Sequence, residues 1–190
     1  MPDQLTVTTP PPAAPVDAPP VWRGVVVRLV VQVLGIVAVF AVTGALAGVV
    51  WQWIWSPPTG VVVHHQWLQD EAGLRGDFSG TGTYVAVAVV AGFVSALLVG
   101  ILFDRHEVLT LVVVLGASVL AGVLMHRVGS HFGPADPVDL ARSAKDGTKL
   151  PGALTVSGDS PFRAFPGGAV AGLLVVFFGL TRRRRHRPGA

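Results

Sequence analysis

The sequence predicts an all-α membrane protein in which four transmembrane helices form an antiparallel bundle and two extracytoplasmic loops form a small α/β cap. Only 13% of the 190 residues are charged, about half the share found in an ordinary soluble domain. The apolar residues gather in four blocks, and each block is close to the length that crosses a bilayer. Cysteine is absent, which excludes disulfides and thiolate metal sites.

The predicted spans cover about residues 25–54, 84–103, 108–128 and 167–181. The first span ends in tryptophans, whose amphipathic rings favour the headgroup layer. The predicted interface anchors are Trp51, Trp53 and Trp55. A four-residue charged link joins the second and third spans, so these helices are predicted to be an antiparallel pair packed side by side. The fourth span is short. It can cross the bilayer only if residues 162–166 lengthen it at the membrane interface or if the bilayer is locally thinner.

Both ends of the chain are predicted to be cytoplasmic tails that flank a membrane domain at residues 23–181. Residues 1–22 are proline-rich and predicted to be disordered, because the first 20 residues hold seven of the 15 prolines. Residues 182–190 are basic, and such segments stay on the cytoplasmic side of the plasma membrane. The predicted basic anchors at the membrane interface are Arg182, Arg183, Arg184 and Arg185.

The first outer loop is predicted at residues 56–82. Residues 61–67 are β-branched and aromatic, which predicts a strand. Residues 74–78 are its predicted partner in a hairpin.

The second outer loop is predicted at residues 129–166. Asp136 followed by Pro137 is typical of a helix start and predicts a short helix through Lys145. Residues 153–156 predict a further strand. The two loops together are predicted to form the cap and to offer a surface for a membrane or envelope protein partner.

Small residues recur at a spacing of four in every predicted span. They are Gly44, Gly48, Gly92, Ala96, Gly100, Ser118, Gly122, Gly168 and Gly172. Such faces let helix backbones approach closely inside a bilayer. They predict packing within the bundle in preference to contact with a partner subunit, and the sequence does not predict an oligomeric state.

The sequence predicts no catalytic, cofactor or metal site. No charge lies at the centre of a span, and no motif of a hydrolase, metalloprotease or nucleotide-binding protein occurs. The histidines on the predicted outer side, His64, His65, His126 and His131, do not match a metal-ligand spacing. Most of the basic excess lies in the C-terminal tail, so the predicted partner is the lipid bilayer and not a nucleic acid.

Two segments carry a family resemblance, WQWIWSPPTGVVV at the end of the first span and FRAFPGGAVAG at the start of the fourth. Over about residues 25–181 the chain resembles small actinobacterial multi-pass membrane proteins that are known only as a domain of unknown function. Twelve arginines against two lysines also indicate a GC-rich bacterial genome. The resemblance implies a bacterial plasma-membrane protein and assigns no catalytic residue.

Three functions follow as hypotheses, in order of preference. The first is a non-enzymatic accessory or scaffold component of a bacterial cell-envelope complex, with the cap as its interaction surface. The second is a small oligomeric transporter or channel, which requires a continuous polar path along the bundle. The candidate lining residues are Gln32, Thr43, Ser95 and Ser118. The third is an envelope enzyme or metal-binding protein, which requires His64, His65, His126 and Asp70 to converge.

Overall fold

The computed structural model describes residues 21–102 and 107–185, and most of these are helical. Nearly all of the predicted proline-rich tail, the link at residues 103–106 and the last five residues lie outside the described residues. The helices are α1 (Val21–Ile54), α2 (Glu71–Leu102), α3 (Glu107–His131), α4 (Pro137–Ala141) and α5 (Ala164–Arg185). The strands are β1 (Thr59–Val63), β2 (Gln66–Leu68) and β3 (Lys149–Pro151).

Among the described residues, four helices are long and apolar enough to cross a membrane, which confirms this part of the predicted fold. The spans are Gly24–Ile54, Gly73–Leu102, Val108–His131 and Ser160–Gly179. The last includes a 3₁₀ turn, Ser160–Arg163, that leads into α5. The shortest has 20 residues, and 20 helical residues rise about 30 Å, the thickness of the hydrocarbon layer.

The second helix begins at Glu71 and not at the predicted Tyr84. Asp70 caps it, because its carboxylate accepts a hydrogen bond from the N–H of Gly73 at 2.8 Å. Hydropathy located the apolar part of the helix, whereas its polar first turns are helical too. Much of the predicted loop at residues 56–82 is therefore helix.

The predicted strand at residues 61–67 is instead a hairpin formed by β1 and β2 around His64 and His65. Both histidines have positive φ, 50° and 61°, as in a type I′ turn. Asn-Gly is the usual signal of that turn, so the sequence did not reveal the break. Residues 74–78 lie in α2, and β3 pairs with β1 in their place, giving the strand order β2-β1-β3.

The second predicted loop keeps its short helix but has its strand elsewhere. Asp136 caps α4 by accepting a backbone hydrogen bond at 2.9 Å, as predicted, but the helix ends at Ala141, before Lys145. Residues 153–156 are not in the sheet. Leu154 is buried among the helices instead, so this segment packs on the helix ends.

The fourth long helix is longer than the predicted span at residues 167–181. It begins at Ala164 and continues through Arg185. Pro166 falls in its first turn, where a backbone N–H has no partner within the helix. The proline therefore does not delay the start of the helix.

The closest helix contacts join α1 to α3 and α2 to α5. Gly44 faces Ala121, and four residues further along each helix Gly48 faces Met125. The contacts advance in the same direction along both helices, so α1 and α3 run parallel. In the second pair Gly92 faces Phe165, whereas Gly100 faces Val176 further along both helices, so α2 and α5 are parallel too.

The side-by-side pairing of the second and third helices is wrong, since α2 and α3 make few contacts. A short link holds two helix ends together but does not determine which faces pack. The glycine faces determine that here, because they admit a backbone that larger residues would exclude.

The three strands and α4 lie together at one end of the long helices and are called the cap below. The helix ends beside them are called the cap end. Pro58 joins the two, because its carbonyl accepts a hydrogen bond from Gly152 at 2.7 Å and its ring lies over Gly76 of α2. The largest buried side chains include Phe40, Trp51 and Tyr84.

Candidate functional site

The predicted small residues of α2 and α5 lie in the contact between these two helices. An added Cβ would meet Phe165 O at Gly92, Val89 O at Gly168, Phe93 O at Gly172 and Val176 Cγ2 at Gly100. Ala96 is buried, and its Cβ lies 2.9 Å from the Cβ position of Gly172. Because the obstacles are mostly backbone atoms, they cannot move aside as a flexible side chain would.

Gly44 and Gly48 of α1 meet the backbone of α3 in the same manner. A Cβ at Gly44 would lie 2.6 Å from Ala121 O, and one at Gly48 would lie 2.5 Å from Met125 O. Ser118 is buried and donates to Leu115 O at 2.8 Å. Gly122 instead faces α5 and α2, since an added Cβ would lie 3.5 Å from Phe165 Cβ and from Tyr84 Oη. Contacts within the chain occupy these surfaces, which removes them as a face for another subunit.

An aromatic cluster joins α1, α2 and α3 at the cap end. Trp51 is fully buried, and its Nε1–H donates to Gly80 O at 2.9 Å. Its ring packs edge-on to Tyr84 at 5.1 Å and covers Gly129, where a Cβ would collide with the indole. Tyr84 Oη in turn donates to Gly122 O at 2.9 Å. The cluster therefore satisfies its polar groups while it fixes the spacing of three helices.

The interface-anchor prediction is wrong for Trp51 and Trp55, which the structure buries. Trp55 is only 7% exposed, whereas Trp53 is 83% exposed and free to meet solvent or lipid. Glycines on neighbouring helices explain the burial, since Gly80 and Gly129 leave room for the two indoles. The predicted basic anchors Arg182, Arg183, Arg184 and Arg185 form the end of α5, and their side chains lie outside the described part of the chain.

Three of the four polar residues proposed to line a path are paired across helix contacts, whereas Ser118 bonds within its own helix. Gln32 donates to Thr110 Oγ1 at 3.1 Å, and Ser95 donates to Thr43 Oγ1 at 2.7 Å. Ser95, Ser118 and Thr110 are all buried. These hydrogen bonds are typical of polar contacts that hold membrane helices together.

The histidines do not converge. His64 and His65 are exposed at the tip of the hairpin, whereas His126 stacks against Phe162 at 5.4 Å. His131 lies against Phe132 on the last turn of α3. Across residues 21–102 and 107–185, no group of three or more potential ligands could hold a metal ion.

The cap presents one buried face and one exposed face. Gly60 lies against the Trp67 indole, whose Nε1–H donates to Leu150 O at 3.3 Å. Val62 is fully buried beside them. The opposite face carries both apolar and polar side chains, because Val61 pairs with Leu68 and with Lys149, and Val63 pairs with Gln66. Leu68 is 50% exposed, and Val61 and Val63 are each 37% exposed.

Neither a protein-family model, nor a curated protein, nor a solved structure matches this chain. The functional proposal therefore rests on the arrangement of these residues. The sequence does not predict the glycines against which indole rings pack, which are Gly60, Gly80 and Gly129. No spacing signal connects them to tryptophans, since a pair such as Trp51 and Gly129 meets only in the folded chain.

Proposed function

We propose that the chain is an integral membrane protein with both termini in the cytoplasm and the cap on the outer side of a bacterial plasma membrane. The distance that the helices rise supports a crossing of the bilayer. From Arg28 to Gly48, α1 rises about 30 Å, and from Val108 to Arg127, α3 rises about 28 Å, close to the hydrocarbon thickness. The basic C-terminal tail then lies inside, as the positive-inside rule requires.

In this placement α1 and α3 run outward and α2 and α5 run inward. The four helices form a bundle in which each closest pair is parallel. Helices from the two pairs run in opposite directions. Trp51 near the end of α1 donates a hydrogen bond to Gly80 near the start of α2, so these two helices are antiparallel. The first turns of α2 then project beyond the bilayer and carry the cap.

We propose that the protein is a non-enzymatic accessory or scaffold component of a cell-envelope complex, with the cap as its docking surface. The exposed apolar face of the sheet is the observation that carries this function. Val61, Val63 and Leu68 form its apolar part, with Gln66 and Lys149 beside them at the paired positions. The hydrogen bonds of Pro58 and Trp67 hold the sheet in place. A rigid apolar patch above the bilayer suits a protein partner, since clustered exposed apolar surface is typical of interaction sites.

A channel or transporter is less well supported. Such a protein needs polar groups facing a continuous path, whereas Gln32 and Ser95 bond to residues of neighbouring helices and Ser118 bonds to the carbonyl of Leu115 within α3. Oligomerisation through the glycine faces is also disfavoured, because those faces are filled within the chain.

The test is co-purification of the tagged protein from its native membrane in mild detergent, with bound proteins identified by mass spectrometry. Val63→Asp and Leu68→Asp place charge on the sheet face. Val138→Asp is the matched control, since Val138 is 51% exposed and belongs to α4 and not to the sheet. We expect a stoichiometric envelope partner that both sheet variants lose and the control retains.

Two results would overturn this function. One is recovery of a clean homo-oligomer with no partner, which would favour the channel hypothesis and direct the work to flux assays. The other is a partner lost equally in all three variants, which would move the contact away from the sheet face.

A further inference from the structure

An open depression of about 640 Å³ lies at the cap end of α3. Its lining residues are His126, Arg127, Val128, Ser130, His131 and Phe132. Polar and basic side chains alternate here with an aliphatic and an aromatic group. The depression lies apart from the exposed face of the sheet, and Val128 at its edge also packs against Gly48.

Arg127 and His131 are its principal donors. They lie four residues apart, so they share one face of α3, and both are exposed. No acidic side chain lines the depression. The ion pairs found in the described part of the chain are Arg75 with Glu71 and Arg142 with Asp139, so the Arg127 guanidinium makes none there.

The chemistry of this face suits a phosphate group. A guanidinium can donate two parallel hydrogen bonds to phosphate oxygens, and His131 can add a third donor one turn away. Ser130 already donates its hydroxyl hydrogen to His126 O at 2.7 Å, so it is not counted as a donor. Val128 and Phe132 provide apolar surface beside the donors.

The position of Arg127 identifies the source of the phosphate. On the membrane placement proposed above, α3 rises about 28 Å from Val108 to Arg127, which places the guanidinium at the outer headgroup layer. Lipid phosphate is the most concentrated anion at that depth. Basic pockets at the surfaces of membrane helices bind anionic headgroups by the same combination of charge and apolar contact.

We propose that Arg127 and His131 bind the phosphate of an outer-leaflet phospholipid and prefer an anionic headgroup. The inference rests on the proposed membrane placement but not on the proposed accessory role. Phosphatidylglycerol provides the probe, because it carries net negative charge, and phosphatidylcholine with the same acyl chains provides the neutral comparison.

The test is native mass spectrometry of the detergent-purified protein titrated with each lipid. The wild-type protein should bind its first phosphatidylglycerol about tenfold more tightly than phosphatidylcholine, because the choline cation of phosphatidylcholine lies beside the phosphate and repels Arg127, whereas the glycerol of phosphatidylglycerol is neutral. Arg127→Gln and His131→Gln should each reduce this preference, the arginine variant by about tenfold. If Arg127→Gln fails to fold, His131→Gln decides the question, and circular dichroism checks the fold of each.

Two arginine variants are the controls. Arg163→Gln removes an exposed arginine at the start of the fourth span, and Arg142→Gln removes one from the cap. Both should keep the wild-type preference. If Arg163→Gln abolishes it as fully as Arg127→Gln does, the effect belongs to interfacial charge in general and the site is overturned.

A third arm separates the two sources of phosphate. Inorganic phosphate at millimolar concentration should not displace the lipid, because it gains nothing from Val128 and Phe132. Full displacement would overturn the lipid assignment in favour of free phosphate. Equal affinity for the two lipids would overturn the preference, and neither result would affect the docking function of the cap.

Discussion

The indole of Trp51 links three of the four long helices at the cap end. It belongs to α1, donates to Gly80 O of α2 at 2.9 Å and covers Gly129 of α3. A buried indole N–H without a partner would be costly, so the bond to Gly80 determines how the ring lies. One residue thus combines apolar packing with a directional contact.

Trp51→Phe should destabilise the protein by about 1–3 kcal/mol, because it removes both a buried hydrogen bond and part of a large side chain. Trp53→Phe is the matched control, since Trp53 is 83% exposed. The control should change stability by less than about 0.5 kcal/mol. Thermal unfolding in detergent, followed by circular dichroism, measures both, and equal midpoints for the two variants would contradict the buried role of Trp51.

At the scale of whole elements, the glycine faces explain why parallel helices are the closest neighbours. Gly44 and Gly48 bring α1 against the backbone of α3, and Gly92, Gly168 and Gly172 bring α2 against that of α5. Within a bilayer, packing and polar contacts drive helix association, because lipid is as apolar as the side chains. The bonds of Gln32 to Thr110 and of Ser95 to Thr43 add polar contacts of that kind.

Gly92→Ala should weaken the contact between α2 and α5 by about 1–3 kcal/mol, because the new methyl group would overlap Phe165 O, a backbone atom. Gly116→Ala is the control within a long helix, since its Cβ would meet nothing within 4 Å. Alanine has the higher helix propensity, so the control should be neutral or stabilising by up to about 1 kcal/mol. Equal unfolding midpoints for the two variants would show that the contact tolerates a methyl group.

Hydropathy and spacing predict the existence of the long helices but not their neighbours or ends. Trp51 and Trp55 are four residues apart and therefore share a helix face, yet spacing cannot tell whether lipid or protein covers that face. The start of α2 was missed because Glu71 opens a polar helical stretch that hydropathy does not distinguish from a loop. The turn at His64 and His65 carries no Asn-Gly signal, so its two strands were predicted as one.

The glycine spacing located the packing faces of the helices, but it could not identify the face that each would meet. Gly44 faces Ala121 and Gly92 faces Phe165, and both pairings join segments that are distant in the sequence. The lipid-binding depression depends on how Arg127 and His131 stand on a helix end that was predicted as loop beyond residue 128. These features are tertiary, so one sequence alone did not contain a local signal for them.

At the scale of the whole molecule, the proposed membrane placement leaves turns of the two longest helices outside the bilayer. α1 has 34 residues and α2 has 32, or about 50 Å each at 1.5 Å per residue. A hydrocarbon layer of about 30 Å leaves several turns outside. Those turns carry the sheet and α4, so the side on which the cap lies decides both the docking surface and the leaflet that Arg127 meets.

Cysteine labelling in intact cells tests that orientation directly, because the chain has no native cysteine. Ser79→Cys on the first turns of α2 and Ser143→Cys after α4 are at exposed positions and should react with a membrane-impermeant maleimide. His106→Cys, in the link outside the described residues, should react only after permeabilisation. The opposite pattern would place the cap in the cytoplasm and Arg127 at the inner leaflet. It would also show that the basic C-terminal tail does not determine the orientation of the chain.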